Sequence, residues 1–401
     1  MISKYKIIST DNEVIVKVSW GLVHGTTRHT YIDDTGEIVF EGKCDENGEI
    51  VNGAMIFPNG NVYQGDFKQG KRHGRGKFSF NNGDVYDGKW RDGKSEGKGT
   101  LTYRDGGFYE GEWEAGEKHG EGRRMYKEGG VYEGGWEAGE RHGVGRSKKA
   151  NGNCYVGNYQ GDELNGFGVK FSKSGNVYIC EYIKGKRDGM GIVISKKRED
   201  YGHWSQDKKD GYGATVCKNG KTSFFKTEGG KKIGIEITID SEQNVESQYR
   251  KAGSVTNKYV AEKKDNDVTQ WTIMGSKYCA TQVKKNGASD FIMGNLTSEG
   301  GSFFLWKKGP VRLFVNKDSN DRVYGTCLMK SHGIYYIGPD EPEYNVSRQL
   351  FKAEGLYLLK DNTVIIVKTD KFPYYHATIF HPKGRITETD HCCDLDRYVR
   401  L

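Results

Sequence analysis

The stretch Tyr109–Gly122, which reads YEGEWEAGEKHGEG, decides the fold of this chain of 401 residues. Close copies of it open at four other tyrosines, so that the full set of opening residues is Tyr63, Tyr86, Tyr109, Tyr132 and Tyr155. Successive opening tyrosines are 23 residues apart. A fixed period of this length is the signature of a repeat array, and it predicts one structural unit per copy.

Weaker copies flank the five strong ones. A worn copy begins at Phe40 and lacks the large aromatic residue at its fifth position, where Cys44 stands. Further copies begin at Tyr178, Asp200 and Ser223 and keep fewer of the repeated features. We therefore predict a repeat array over residues 40–245, with its best copies in 63–177. Residues 1–39 are interpreted as a degenerate N-terminal cap, because a terminal repeat must present one face to water.

Each copy has the pattern of a β-hairpin with glycine-rich turns. The first strand alternates, so that Tyr109, Gly111 and Trp113 share one face. Glycine inside a strand is costly unless another group packs over it, and an aromatic ring from a neighbouring strand is the expected occupant. This reasoning assigns a structural role to the third-position glycines, which are Gly65, Gly88, Gly111, Gly134 and Gly157. The predicted fold class is all-β, with an elongated single-layer antiparallel sheet of repeated hairpins.

The repeated pattern Tyr-x-Gly-x-Trp-x-x-Gly-x-x-His-Gly-x-Gly resembles the MORN (membrane occupation and recognition nexus) repeat. Residues 109–131 match it at every glycine and at both aromatic positions, and the resemblance covers residues 40 to about 222, with a weaker extension to 245. It implies a scaffold for protein–protein interaction, often near a membrane or the cytoskeleton. Some proteins of this kind carry a lysine methyltransferase or phosphoinositide kinase domain after the array. The Asn-His-Ser-type motif of the former and the glycine loop with a paired lysine of the latter are both missing here.

The composition changes after residue 250, where five of the six prolines lie. We interpret residues 246–268 as a charged hinge, and residues 269–401 as either a diverged continuation of the hairpin array or a separate small β-domain. Strands are predicted at 270–274, 278–283, 302–306, 311–315, 333–337, 356–359, 364–368 and 376–380. Val364–Ile386 again spans 23 residues and can be aligned with one copy of the array. A terminal helix is predicted over 394–401.

The candidate binding site is the aromatic face of the array. Its residues are Tyr63, Phe67, Tyr86, Trp90, Tyr109, Trp113, Tyr132, Trp136, Tyr155 and Tyr159. Two interpretations stay open. The rings either form the core of the sheet, or they remain partly open and make a groove for a peptide or helix, since a single layer has little material to cover them.

The residues give little support for a metal site, a catalytic site or a nucleic acid partner. His73, His119 and His142 recur at the turn, but equivalent residues lie two strands apart, about 9–10 Å, which is too far for one zinc ion. We therefore expect no metal, no cofactor and no catalytic residue. The net charge of +7 is diluted by 61 basic and 54 acidic residues, so we expect no nucleic acid partner. Lysine pairs such as Lys148-Lys149 fit either an anionic membrane surface or a solvated face.

The chain shows neither the apolar core of a signal peptide nor a run of about 18 apolar residues. Its eight cysteines contain no CxxC pair and are interpreted as free thiols. We therefore expect a cytoplasmic protein, with association to a membrane or the cytoskeleton left open. The expected partner is another protein. The alternatives are a homodimer through the sheet edges, a peripheral phospholipid-binding role, and an enzyme, such as a methyltransferase or a lipid kinase, whose C-terminal domain is positioned by the array.

Overall fold

A computed structural model gives the fold of the chain. The residues that the structure describes are 6–9, 12–17, 27–33, 36–45, 49–242, 244–251, 254–255, 260–265, 268–273, 278–285, 288–295, 303–306, 311–313, 316–317, 323–324, 327–331, 334–338, 355–359, 362–371, 374–382 and 386–389. Within these residues all regular structure is β and no helix occurs. The chain divides into two compact units, residues 1–150 and 151–401, which we call the N-terminal unit and the C-terminal unit.

The N-terminal unit is a meander in which each strand pairs antiparallel with the next one along the chain. Its strands are β1 (Lys6–Ser9), β2 (Asn12–Lys17), β3 (Thr27–Asp33), β4 (Gly36–Cys44), β5 (Ile50–Ile56), β6 (Val62–Lys68), β7 (Lys71–Ser79), β8 (Val85–Arg91), β9 (Lys94–Thr102), β10 (Phe108–Glu114), β11 (Glu117–Met125), β12 (Val131–Glu137) and β13 (Glu140–Lys148). Each strong copy of the repeat is one hairpin, as the period predicts.

The C-terminal unit begins with the same meander and adds three further sheets. The meander strands are β14 (Cys154–Gln160), β15 (Glu163–Phe171), β16 (Val177–Ile183), β17 (Lys186–Ile194), β18 (Arg198–Ser205), β19 (Lys208–Cys217), β20 (Thr222–Glu228), β21 (Lys231–Ile239), β22 (Val245–Lys251) and β23 (Ser254–Val255). A second sheet holds β24 (Val260–Asp265), β25 (Val268–Ile273), β26 (Tyr278–Lys285), β27 (Ala288–Asn295) and β28 (Phe303–Trp306).

The third sheet has the order β29-β32-β33-β34-β35-β36-β37, and the fourth is the pair β30-β31. Their strands are β29 (Val311–Leu313), β30 (Asn316–Lys317), β31 (Val323–Tyr324), β32 (Cys327–Ser331), β33 (Ile334–Gly338), β34 (Gly355–Leu358), β35 (Val364–Lys371), β36 (Tyr374–Phe380) and β37 (Ile386–Thr389). All eight strand runs predicted after residue 269 overlap an observed strand. The predicted helix at 394–401 lies outside the described residues.

Two kinds of turn close the hairpins. Inside a copy, two residues with positive φ join the strands, as at Ala115 (φ 51°) and Gly116 (φ 97°). Positive φ at both positions is the geometry of a type I′ turn, whose twist matches that of paired strands. Between copies, the amide of Gly83 donates to the carbonyl of Phe80 at 2.9 Å, and the amide of Phe80 donates to the carbonyl of Asp84 at 2.8 Å.

The same turn between copies recurs in the third sheet of the C-terminal unit. There the amide of Asn362 donates to the carbonyl of Leu359 at 3.0 Å, and the amide of Leu359 donates to the carbonyl of Thr363 at 2.9 Å. Asn362 takes the left-handed conformation of the repeat glycine, with φ 67°. Among the described pairings, however, none joins β23 to β24, so the later strands form sheets of their own rather than lengthening the meander.

A bulge interrupts each strong hairpin on its second strand. Gly111 pairs with Gly122 but the next residue, Glu112, pairs with His119, so that Gly120 and Glu121 are skipped. Gly120 has φ 57° at this point. The His-Gly-x-Gly part of the repeat therefore encodes a bulge, which bends the strand and increases its twist.

The segment interpreted as a hinge contains strands in its described part. β22 pairs with β21 along its whole length, from Ile239 opposite Val245 to Gly234 opposite Arg250. β24 also begins within 246–268. The division into compact units falls at residue 150, inside the array, rather than at the change in composition near residue 250.

The C-terminal unit has a second layer that the repeat pattern did not predict. β34 lies beside β15, β32 beside β17, β28 beside β19 and β25 beside β21. The meander there presents apolar residues at its second positions, and these are Val156, Ile179, Tyr201 and Phe224, all at most 3 % exposed. They pair with Val169, Ile192, Ala214 and Ile237, none of which has measurable exposure. Both faces of this part of the meander are therefore buried.

Candidate functional site

The aromatic residues of the N-terminal unit form one continuous ladder. Within a copy the ring of Tyr109 meets Trp113 edge-on at a centroid distance of 5.3 Å, and it meets Trp136 of the next copy at 5.1 Å. Equivalent contacts join Phe40, Phe67, Tyr63, Trp90, Tyr86, Trp113, Tyr109, Trp136 and Tyr132 in that order. Edge-to-face pairs contribute about 0.5–1.5 kcal/mol each beyond burial, so the ladder links neighbouring copies energetically.

Each tyrosine of the ladder lies over the strand glycines of its own hairpin. A Cβ built on Gly122 would come within 2.4 Å of the Tyr109 Oη and 2.5 Å of its Cε2. On the first strand a Cβ at Gly111 would meet the same hydroxyl at 2.5 Å. The Tyr109 hydroxyl then donates a hydrogen bond to the carbonyl of Glu112 at 2.9 Å. Only glycine leaves room for the ring, which explains why the residue recurs at these places.

The same packing continues in the C-terminal unit. Tyr155 meets Tyr159 and Tyr182 edge-on, each at 5.4 Å. A Cβ at Gly168 would lie 2.1 Å from the Tyr155 hydroxyl. In the next copy Cys180 replaces the third-position glycine, and its thiol is buried, which raises its pKa to about 12. This thiol is therefore neutral at physiological pH and behaves as a small apolar side chain.

The candidate binding residues are deeply buried. Tyr63, Phe67, Tyr86, Trp90, Tyr109, Trp113, Tyr132, Trp136, Tyr155 and Tyr159 are each at most 8 % exposed. The Tyr109 pKa is raised, first by burial and then by the charges of Glu112 and Glu121. Of the two interpretations of these rings, the geometry favours the core. A partner that approached this face would meet the side chains lying around and above the ladder.

Four cationic side chains lie over rings on the aromatic face of the N-terminal unit. The Arg72 guanidinium lies 4.4 Å from the centroid of the Trp90 ring. The other three are Lys118 over Trp136 at 5.0 Å, Arg124 over Tyr103 at 3.6 Å and Arg141 over Tyr132 at 5.6 Å. Cations over aromatic rings are attracted by the ring quadrupole. These residues place four positive charges on the aromatic face.

A second aromatic row lies beside the ladder, next to the turns between copies. It consists of Phe57, Phe80, Tyr103 and Tyr126, which recur every 23 residues and which we call the rim row. Phe80 is 36 % exposed, and the other three are half-buried. Phe78 lies between the first two rings, at 5.9 and 4.6 Å. The Arg124 guanidinium lies between the last two, at 3.6 and 5.2 Å. The repeat pattern did not predict this row, because its residues vary between phenylalanine and tyrosine.

The opposite face of the N-terminal unit is polar. Its second positions hold Gln64, Asp87, Glu110 and Glu133, and the residues across from them include Lys77 and Arg123. The Arg123 Nε lies 3.1 Å from the Glu133 Oε1 on the neighbouring strand. Exposed pairs of this kind contribute little to stability, about 0–1 kcal/mol. The two faces of this unit thus differ in chemistry, which any binding test can exploit.

Two buried carboxylates of the C-terminal unit are paired with cations. Burial alone would raise the pKa of Asp200, but the hydrogen bond and charge of Lys209, with Thr215 and Arg198, lower it below its usual value. The Lys209 Nζ lies 2.8 Å from the Asp200 Oδ1. The pKa of Glu236 is lowered in the same way, by Lys232 and Arg250 against the effect of burial. Asp200 thus joins the two strands of one hairpin, β18 and β19, whereas Glu236 joins β21 to β22 through Arg250.

This pairing predicts how acid weakens the C-terminal unit. A carboxyl group whose pKa is depressed by folding adds stability above its unfolded pKa of about 4, and that stability is lost as the pH falls through the folded pKa. We expect Asp200→Asn to lower stability at pH 6, because Lys209 loses its partner, and to reduce the further loss between pH 5 and 3. Urea unfolding midpoints at several pH values measure both effects. Glu228→Gln, at an exposed position, is the control. An unchanged pH profile in Asp200→Asn would contradict the assignment.

A third carboxylate joins two layers of the C-terminal unit. The Tyr335 hydroxyl, on β33, donates to the Glu199 Oε1 at 2.8 Å, and the Tyr201 hydroxyl donates to the other oxygen of the same carboxylate. The pKa of Tyr335 is raised, first by burial and then by Glu199. The arrangement fixes the third sheet on the meander at one defined position.

The recurring histidines pair with carboxylates rather than with one another. The His119 Nε2 lies 3.2 Å from the Glu114 Oε2, and the His142 Nδ1 lies 3.0 Å from the Glu137 Oε2. Within the described residues, no group of three or more histidine, cysteine or carboxylate side chains is arranged to hold a metal ion. Among the same residues there is no helix that could cross a membrane. The described cysteines Cys154, Cys180 and Cys217 carry free thiols.

Comparison with known families agrees with the repeat analysis. The MORN repeat family matches residues 63–85, 86–108, 109–131, 132–154, 155–177 and 201–222. The first five matches have the boundaries given by the opening tyrosines. The copies that begin at Phe40, Tyr178 and Ser223 lie outside the matches but form hairpins of the same kind. No curated protein matches the chain.

Proposed function

Because the chain carries MORN repeats, we propose that it is a non-enzymatic scaffold that binds a protein partner along the aromatic face of its N-terminal unit. The observation that carries this proposal is the aromatic ladder, which runs without a break from Phe40 to Tyr132. A ladder of this kind holds the surrounding side chains at fixed intervals. Repeat proteins use such regular surfaces to bind extended partners.

The partner would contact the periphery of the ladder rather than the buried rings. The rim row offers partly exposed aromatic surface, and Arg72, Lys118, Arg124 and Arg141 offer positive charge. Partly buried aromatic and arginine residues are the types that dominate binding energy in protein interfaces. Addition of a strand at a free edge of the meander is a second route, and it is also the route to a homodimer.

Site-specific photo-crosslinking tests the proposal. A benzophenone amino acid is placed in the full chain at Phe80 or Tyr126 on the aromatic face, and at Asp87 or Glu110 on the polar face as matched controls. All four positions belong to the same hairpin array. We expect a discrete protein adduct in cells from the first pair and a much weaker one from the second. Equal adducts from both faces, or none from either, would overturn the proposal.

Localisation follows from the same proposal. We place the scaffold in the cytoplasm, at a membrane or on the cytoskeleton, where its partner holds it. A peripheral lipid-binding protein would behave differently, because it would float with vesicles of phosphatidylserine and phosphatidylcholine without any partner. We expect the purified chain to remain in the unbound fraction in that assay at about 0.15 M salt. Flotation that requires the anionic lipid would favour the lipid-binding alternative.

A further inference from the structure

The spacing of the rim row limits what can bind along it. Successive rings come from successive hairpins, whose equivalent strands are about 9.4–9.8 Å apart in a sheet. The ring centroids of Tyr103 and Tyr126 lie somewhat closer than this, within 8.8 Å of each other, because they lie 3.6 and 5.2 Å from the same Arg124 guanidinium carbon. A shorter or flatter side chain lies between neighbouring rings, with Phe78 between Phe57 and Phe80 and Arg124 between Tyr103 and Tyr126. We call the spaces above Phe78 and above Arg124, between the rings on either side, slots. A depression with a volume of about 520 Å³ adjoins Tyr103 and is lined by Asp84 and Lys127 among others.

Only one regular peptide conformation repeats at this distance. A polyproline II helix rises 3.1 Å per residue with three residues per turn, so the same edge returns every 9.3 Å or so. An α-helix has a pitch of about 5.4 Å, and an extended strand presents the same side about every 6.6–6.8 Å. A polyproline II segment lying across the strands would therefore meet each slot with an equivalent residue. Aromatic-lined grooves are the usual partners of this conformation.

The charge of the same face selects the composition of the ligand. Arg72, Lys118, Arg124 and Arg141 all lie over rings of the aromatic face. Arg72, Lys118 and Arg141 occupy the same place in their hairpins, opposite the fifth-position aromatic residue. Ser95 holds that place in the hairpin that begins at Tyr86, so the cation recurs in three of these four hairpins. A ligand with one carboxylate in every three residues would bring its negative charges to this face in register.

We propose that the rim row of the N-terminal unit binds an acidic, proline-rich segment of a partner protein in the polyproline II conformation. The inference rests on the proposed scaffold function and names the class of its partner. Prolines occupy the slots between the rings, and acidic residues lie towards the cationic side chains. The preformed polyproline II conformation loses little entropy on binding, which suits a groove with shallow slots.

Binding of synthetic peptides to the full chain tests this inference. The probe is a fluorescent 15-residue peptide of five Glu-Pro-Pro units, and its affinity is measured by anisotropy. Three controls separate the contributions: a peptide with the same composition but its five glutamates in one block, a Lys-Pro-Pro peptide, and a helical peptide of glutamate and alanine with equal charge. We expect the Glu-Pro-Pro peptide to bind at least about tenfold more tightly than each control.

Variants locate the binding on the rim row. The double variant Phe80→Ala, Tyr126→Ala is expected to weaken binding of the Glu-Pro-Pro peptide by about tenfold or more, because each of these rings forms one wall of a slot. Asp87→Ala with Glu110→Ala on the polar face is the matched control and is expected to leave it unchanged. Thermal melting of each variant checks the fold. Should the first pair prove unstable, Phe80→Ser alone, at an exposed position, replaces it with an expected loss of about threefold.

The outcomes distinguish the inference from the function on which it rests. Equal binding of the block and repeat peptides would show attraction by charge alone and would overturn the match of spacing. Tightest binding of the helical peptide would identify a helical partner instead. Failure of all four peptides, with face-specific crosslinking retained, would overturn the inference and leave the scaffold function intact. Loss of the crosslinks as well would remove both.

Discussion

Replacement of Ile179 by glutamate is expected to lower the free energy of unfolding of the C-terminal unit by about 3–5 kcal/mol, because it places an unpaired charge in a dry interior. Ile179 has no measurable exposure and pairs with Ile192, which is also fully buried. Its side chain lies on the face that the additional sheets cover. The carboxylate would have to remain buried without a partner or separate the layers. Either result also weakens the contact between Glu199 and Tyr335.

The control for this substitution lies at the equivalent position of another copy. Glu110 occupies the same second position as Ile179, but it is exposed in the N-terminal unit. Glu110→Ile should change stability by no more than about 0.5 kcal/mol. Hydrogen exchange measured by mass spectrometry on peptides from residues 155–239 and from 63–148 reports on each unit separately. Similar small effects at both positions would contradict the assignment of a buried second face to the C-terminal unit.

Replacement of Gly122 by alanine is expected to destabilise the N-terminal unit by about 3 kcal/mol, at the upper end of overpacking effects. The added methyl group would come within 2.7 Å of three atoms of the Tyr109 side chain, two of them in the ring and the third the hydroxyl oxygen. The ring cannot move aside easily, because it contacts Trp113 and Trp136 and its hydroxyl donates to the carbonyl of Glu112. A shift of Tyr109 would therefore disturb two neighbouring copies.

Gly130→Ala provides the comparison for Gly122→Ala. The nearest atom to a Cβ at Gly130 is 3.5 Å away, which is an ordinary contact, and its backbone conformation is accessible to alanine. We expect a change of less than about 0.5 kcal/mol, since little is displaced. Urea unfolding followed by tryptophan fluorescence, to which Trp113 and Trp136 contribute, measures both variants. If Gly122→Ala were as well tolerated as Gly130→Ala, close packing of ring on backbone could not be the reason for the repeated glycine.

The hairpin array was predictable because one local rule is repeated many times. The 23-residue period and the alternation of Tyr109, Gly111 and Trp113 predict strands, turns and a shared aromatic face, and the structure confirms the all-β repeat fold. The bulge at Gly120 was not predicted, because glycine in the His-Gly-x-Gly segment is equally compatible with a longer turn.

The second layer of the C-terminal unit had a signal in the sequence. The paired second-face positions change from Glu110 and Arg123 to Ile179 and Ile192. An exposed strand face carries polar residues, whereas a strand buried on both sides is apolar throughout. No single copy contains this signal, which emerges only when the residues at the same position of successive copies are compared. Which sheets cover these apolar second positions depends on contacts between residues far apart in the chain, and no local pattern specifies such contacts.

The depth to which the aromatic face is buried also depends on geometry that the pattern does not contain. The sequence places Tyr109 and Trp113 on one side of a sheet but not the angle between them. In the structure the rings stand edge-to-face, and the tyrosine lies flat over glycine backbone. The rings of the ladder thereby bury one another. The surface available to a partner consists of the side chains at the margin of the ladder. The rim row within this margin is defined by the contacts of Phe78 and Arg124, which the repeat pattern does not contain.

Each turn inside a copy is also tied to the copy before it. The amide of Gly93 donates to the carbonyl of Arg72 at 2.9 Å, the amide of Gly116 to that of Ser95 at 3.0 Å, and the amide of Gly139 to that of Lys118 at 3.0 Å. Each of these three hydrogen bonds reaches only the copy immediately before it. Duplication or loss of one whole copy within this array would therefore preserve every junction between copies. An insertion or deletion of any other length would misalign the junctions that follow it. Such a gene can grow or shrink in steps of one hairpin, and each step adds or removes two strands, about 9–10 Å of sheet.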